Sequence, residues 1–257
     1  MLRREAVPHV AALMRATKRA DMIRLCRPIL LLAALTSSCA AAAAQDLAVE
    51  SGGRAISVAR YAADGSAPRP AVLLLHGSSG FEIDPEAFAR HARLLTANGI
   101  DAYLVRYFGP SSGARCYCWD RWAQTVADVI STILRRPEAS GRIGLLGYSL
   151  GGAVAIASAR DPRVNALVIF YGFIPNDTER ARLRRLPPLL ALHGAADANV
   201  PLSSGEEVVN LAHQHGGRAE LVVYPGEAHG HTKWRETAAI DAVNRMIAFF
   251  RAELADR

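Results

Sequence analysis

The sequence predicts an α/β fold with a mostly parallel central sheet and helices on both faces. Three observations carry this reading. From Arg54 onward, short apolar runs alternate with longer amphipathic segments. The runs are continuous rather than alternating, as in strands buried on both faces. Several of them end in glycine-bearing loops, at the strand edge where α/β sheets bind ligands.

The first core run, Ala71–Leu75, ends in His76-Gly77. Asp84-Pro85 then opens a helical segment through Asn98-Gly99, with Asp at the N-cap, Pro in the first turn and Gly past the end. Ala102–Val105 is the next strand. Trp119–Arg136 places Trp122, Val126, Val129, Ile130 and Ile133 on one helical face, and Pro137 ends it. Arg142–Leu146 is a third strand, followed by a helix of small residues over Ser149–Arg160. Ala166–Phe170, Pro188–Leu192 and Ala219–Tyr224 complete six strands, with helices expected over Ser203–His215 and Trp234–Leu254. One domain is expected over residues 45–257, a length sufficient for one large core.

The chain has 30 basic and 24 acidic residues, a net charge of +6. Seven of the basic and two of the acidic residues lie in residues 1–44, so residues 45–257 keep 23 and 22 and a net charge of +1. A nearly neutral body argues against nucleic-acid binding. Residues 1–44 read as a leader: Met22–Arg27 is a basic start, Ile29–Leu35 an apolar stretch, and Ala40–Ala44 offers a cleavage site after Ala44. Met22 is then the expected true start and the mature protein is exported, touching the membrane only through the leader. The alternative is a membrane anchor over residues 28–44. Cys26 and Cys39 leave with a cleaved leader. Cys116 and Cys118 remain, either as a small-ring disulfide in an oxidising compartment or as two free thiols. Their neighbours supply no further metal ligands.

The chemistry concentrates where the third strand meets its helix. Gly147-Tyr148-Ser149-Leu150-Gly151-Gly152 is G-x-S-x-G in a strand–turn–helix setting. The turn is so sharp that residues two away from the serine must lack a Cβ, which Gly147 and Gly151 satisfy. Gly152 lets the helix approach the sheet. A serine hydroxyl needs a base, and the base needs an orienting acid. Asp197 follows strand Pro188–Leu192 and His229 follows strand Ala219–Tyr224, so both reach the Ser149 end of the sheet. Competing readings are Asp177 as the acid, although Pro175–Thr178 reads as a turn, and His231 as the base. His193 reads as a local hydrogen-bonding residue, His213 and His215 as surface, and Glu227 as a solvated turn residue. Backbone N–H groups of Leu150 and Ser78 are expected to hold the developing oxyanion. Tyr148, Tyr107, Trp119 and Phe173 are candidate pocket walls, and Lys233 a candidate for attracting an anionic group.

With Gly147–Gly152, Tyr107-Phe-Gly109, Asp197–Pro201 and Gly226–Gly230, the chain resembles the dienelactone hydrolase family of the α/β-hydrolase fold over roughly residues 50–255. The resemblance implies hydrolysis of a small-molecule ester or lactone through an acyl-enzyme, with no metal or cofactor. Archetypal members use cysteine where this chain has Ser149. They carry a glutamate near the position of Gly77, and arginines for the substrate carboxylate where only Lys233 stands. The resemblance therefore implies a serine-type member with a substrate other than dienelactone. The alternatives are a ligand-binding protein on the same fold, a thioesterase or an acyltransferase.

Overall fold

A computed structural model describes residues 44–66, 68–108 and 116–255. Residues 1–43 of the expected leader (residues 1–44) and Gly109 lie outside the described residues. The described residues form one compact unit.

Eight strands build one sheet: β1 (Gln45–Ser51), β2 (Arg54–Tyr61), β3 (Arg69–Leu75), β4 (Asp101–Val105), β5 (Ala139–Tyr148), β6 (Val164–Phe170), β7 (Leu189–Gly194) and β8 (Ala219–Tyr224). Their order is β1-β2-β4-β3-β5-β6-β7-β8. The pairs β1–β2 and β2–β4 are antiparallel, and every other pair is parallel. Among the described residues, six α-helices accompany it: α1 (Pro85–Thr96), α2 (Trp119–Leu134), α3 (Leu150–Ser158), α4 (Asp177–Arg182), α5 (Leu202–Gln214) and α6 (Glu236–Glu253).

The alternation of side chains along the core strands explains the layers. In β3, Leu73 and Leu75 face a cluster that includes Trp122 and Val126 of α2, Val154 of α3 and Val208 of α5. Val72 and Leu74 face the other way, onto Phe88 and Leu95 of α1 and Met246 and Phe250 of α6. A sheet covered on both faces is what continuous apolar runs require, and each fully buried aliphatic side chain contributes roughly 1.5–3 kcal/mol.

All six expected strands form, with bounds moved by a few residues. Two were missed. The hairpin β1–β2 turns at Gly52-Gly53, both at positive φ (54° and 74°), a two-residue turn that favours glycine. Its burial alternates, because only one face of these outer strands meets the core. Pro175–Thr178 is not a simple turn. Asn176 Oδ1 accepts the Glu179 N–H and caps α4, which begins at Asp177. Helix α3 begins at Leu150 rather than Ser149, because Ser149 occupies the turn itself. Helix α6 begins at Glu236, because Trp234 stays in the preceding loop with its indole N–H donated to the Ala228 carbonyl at 2.6 Å. Cys116 and Cys118 are joined by a disulfide just ahead of α2.

Candidate active site

Ser149 sits between β5 and α3 with φ 52° and ψ −118°, a conformation unusual for a residue with a side chain. The chain can turn this sharply because its neighbours are bare. A Cβ on Gly151 would overlap the Leu75 and His76 carbonyls, and one on Gly147 would overlap the Gly151 backbone. A Cβ on Gly152 would come within 2.8 Å of Gly172 Cα, so this glycine does permit the close helix–sheet approach.

Three strand ends deliver one hydrogen-bonded chain. Ser149 Oγ lies 3.0 Å from His229 Nε2, and His229 Nδ1 lies 2.7 Å from Asp197 Oδ2. A carboxylate can only accept, so Nδ1 carries the proton and Nε2 is free to accept from the serine hydroxyl. The Asp197 carboxylate is enclosed. Its Oδ1 accepts the N–H groups of Asn199 at 2.9 Å and Val200 at 2.8 Å. His193 supports the same loop by donating Nε2–H to the Val200 carbonyl at 2.9 Å, the local role expected of it.

The chain opens on a cavity of about 300 Å³. Ser78, Tyr148 and Lys233 line it, beside Ser149 and His229. Its loop closes through a Gly80 N–H bond to the Gly77 carbonyl, and Gly77 packs against Ser149. Leu150 opens α3, and the first N–H groups of a helix have no intrahelical acceptor. Tyr107 does not line this cavity. It is fully buried, donates its hydroxyl to the His76 carbonyl at 2.6 Å and stacks on the His76 ring, so it braces the loop from below. Trp119 and Phe173 pack against the α2–α3 core instead of the cavity. Asp177 is fully exposed, away from the chain of hydrogen bonds. Glu227 is not a solvated turn residue: its side chain is buried and paired with Arg235, which receives support from both its carboxylate oxygens.

Two residues had gone unrecognised as a pair. Tyr171 follows β6 at φ 43°, lines the cavity, and sets its ring 4.6 Å from that of His229. Its oxygen accepts the His231 backbone N–H at 3.2 Å, and its hydroxyl is hydrogen-bonded to His231 Nδ1 at 2.7 Å. His231 is therefore engaged by Tyr171 rather than by Ser149. Its Nε2 is buried without a hydrogen-bond partner. Such a buried polar group costs roughly 1–3 kcal/mol until something satisfies it. The sequence signal was Phe170-Tyr171-Gly172 at the carboxyl end of a core strand, the position that marks ligand-facing loops.

Burial keeps three histidines neutral. It pushes His76 and His91 down to about 4, and His231 well below its usual value. As pH falls below 6.5, the unfolded chain takes up protons on these rings that the folded chain refuses. Stability is therefore complete above the unfolded value and is lost toward the folded one. The urea midpoint should fall steadily from pH 6.5 to about 5, before ordinary carboxylates titrate. His91→Gln should flatten that slope by roughly one proton. A slope unchanged by this substitution would contradict a neutral His91.

An eight-stranded sheet in this order, with a Ser–His–Asp chain at the carboxyl ends of its parallel strands, defines an α/β-hydrolase fold. Residues 118–254 match the dienelactone hydrolase family, and the chain belongs to it. A protein of Methylorubrum extorquens provisionally named carboxymethylenebutenolidase is 27% identical over 190 residues, covering 66% of this chain and 62% of its own. A Salmonella typhimurium protein with the same provisional name is 27% identical over 145 residues, covering 50% and 54%. The chain thus spans about half the length of several curated relatives that it matches. The crystal structure of a dienelactone hydrolase from Anabaena variabilis superposes with a TM-score of 0.69 at 19% identity, covering 82% of this chain and 99% of that one.

Proposed function

We propose that the protein is a serine hydrolase that opens a carboxylic ester or lactone through an acyl-enzyme. The single observation that carries this reading is the Ser149–His229–Asp197 chain opening on a cavity. Ser149 Oγ attacks the carbonyl carbon while His229 Nε2 takes its proton. The carbonyl oxygen becomes an oxyanion facing the Ser78 and Leu150 N–H groups. His229 then gives its proton to the leaving alkoxide, and the C–O bond breaks. Water attacks the acyl-enzyme with the same base, releasing the acid and restoring Ser149. Asp197 keeps the imidazole in the required tautomer and stabilises its charged form.

The names of the curated relatives favour lactone or enol-ester opening within this class. An exported location accompanies the reading. Its support is the basic and apolar pattern of residues 22–44 and the Cys116–Cys118 disulfide, a bond that persists in oxidising compartments. The test is treatment of the full chain with a fluorophosphonate probe and mapping of the adduct by mass spectrometry. The expected result is a single adduct on Ser149. A probe that modifies another residue, or none, would sink the assignment.

A further inference from the structure

A second groove of about 380 Å³ runs between α1 and α6. It adjoins the Ser149 cavity, for Asp84, His231 and Thr232 line both. Asp84 caps α1 and Thr232 belongs to the short 3-10 turn His231–Lys233, so these two loops flank the junction. The groove is apolar where it leaves the junction. Leu94, Ile240 and Val243 line it, and Leu94 and Ile240 remain 37% and 53% exposed. Ile83, 69% exposed, extends the same character along the edge of the Ser149 cavity. Large exposed aliphatic side chains scattered singly need no explanation, but three beside one contiguous depression mark a binding surface.

The groove also presents two imidazoles, tilted to each other by 33°. The His91 and His231 rings lie 4.9 Å apart, and both line it. Each spends one nitrogen on a tyrosine: His91 Nδ1 on Tyr148 at 2.5 Å and His231 Nδ1 on Tyr171 at 2.7 Å. Both rings are neutral, so this wall welcomes an apolar group. Charges at the groove, Arg90, Asp84 and Glu236, are of both signs and select no net charge.

Resting on the serine-hydrolase reading, we infer that the substrate is an ester carrying an extended alkyl arm, which leaves the Ser149 cavity between Asp84 and Thr232 and lies in the α1–α6 groove over His231. The arm belongs to either the acyl or the alcohol half, and the two halves are separable by experiment. Hydrolysis of p-nitrophenyl acetate and decanoate reads the acyl half, and of methyl and decyl acetate the alcohol half. The quantity compared is the long-to-short ratio of kcat/KM. One of the two ratios should exceed unity and should fall roughly tenfold or more in Ile240→Glu, which puts a charge on the groove wall. Ile240 is exposed enough for this variant to fold. Val223→Glu, a similar change at an exposed residue of β8, should leave the ratio unchanged. Ratios at or below unity in both series, or insensitive to Ile240→Glu, would overturn the inference while leaving the esterase reading intact. If none of these esters is turned over, fluorophosphonate labelling of Ser149 decides the serine-hydrolase reading separately. Calorimetric titration with decanoate then decides the groove alone: binding weakened by Ile240→Glu upholds it, and no binding overturns it.

Discussion

Ser149→Ala should lower kcat by roughly 10⁵–10⁶ while the protein remains folded. The hydroxyl removed is the group 3.0 Å from His229 Nε2, and no other hydroxyl of the chain is bonded to that nitrogen among the described residues. Substrate affinity should change little, because the cavity walls and the loop carrying Ser78 are untouched. The backbone strain gives a second readout. Alanine keeps a Cβ at φ 52°, so Ser149→Ala should leave the thermal midpoint near that of the parent. Glycine adopts this conformation freely, whereas a residue with a Cβ held there costs on the order of 1–3 kcal/mol. Ser149→Gly should therefore be equally inactive but more stable. Steady-state hydrolysis of p-nitrophenyl acetate, beside calorimetric unfolding of all three proteins, makes the comparison. Substantial turnover in either variant would remove Ser149 from the chemistry. An unchanged midpoint in Ser149→Gly would mean that the turn is not strained.

That serine was legible in the sequence because its constraint is local. Gly147 and Gly151 stand at fixed offsets, and each answers a backbone overlap that arises within a few residues or from the adjacent strand β3. Asp197 and His229 were legible for a related reason: each follows a continuous apolar run, so the strand itself delivers the residue to the carboxyl edge. Tyr171 stands at an equivalent strand end, yet its partnership with His231 was not readable. It depends on two loops 60 residues apart meeting, and neither sequence hints at the other. Tyr107 was misplaced for the converse reason. An aromatic residue after a strand looks like a pocket wall, and only the packed structure shows its ring under His76. The hairpin β1–β2 was missed although Ser51-Gly52-Gly53-Arg54 marks it, because a one-sided outer strand shows alternation where the core strands show continuous runs. The burial of Glu227 was hidden likewise, since its pairing with Arg235 comes from the loop folding back ahead of α6.

Asp197→Asn should lower kcat by roughly 10⁴ without disturbing the loop, and the reason lies in how its two oxygens are used. Oδ1 accepts two backbone N–H groups, from Asn199 and Val200. An amide NH₂ cannot stand in that position, because donor would face donor twice. The new amide must therefore set its oxygen there and turn its NH₂ toward His229 Nδ1, 2.7 Å from the present Oδ2. Nδ1 must then accept, and the ring proton moves to Nε2. That nitrogen now points a donor at Ser149 Oγ and can no longer take the hydroxyl proton. Two hydrogen bonds of the loop survive, so the unfolding midpoint should shift far less than the rate. The proton NMR spectrum should lose the resonance of the proton held between His229 and Asp197, and activity should recover as pH rises and hydroxide replaces the missing base. A variant with near-parental kcat would show that the imidazole keeps its tautomer without a carboxylate. Asp197 would then be a structural residue of the β7 loop rather than the group that orients His229.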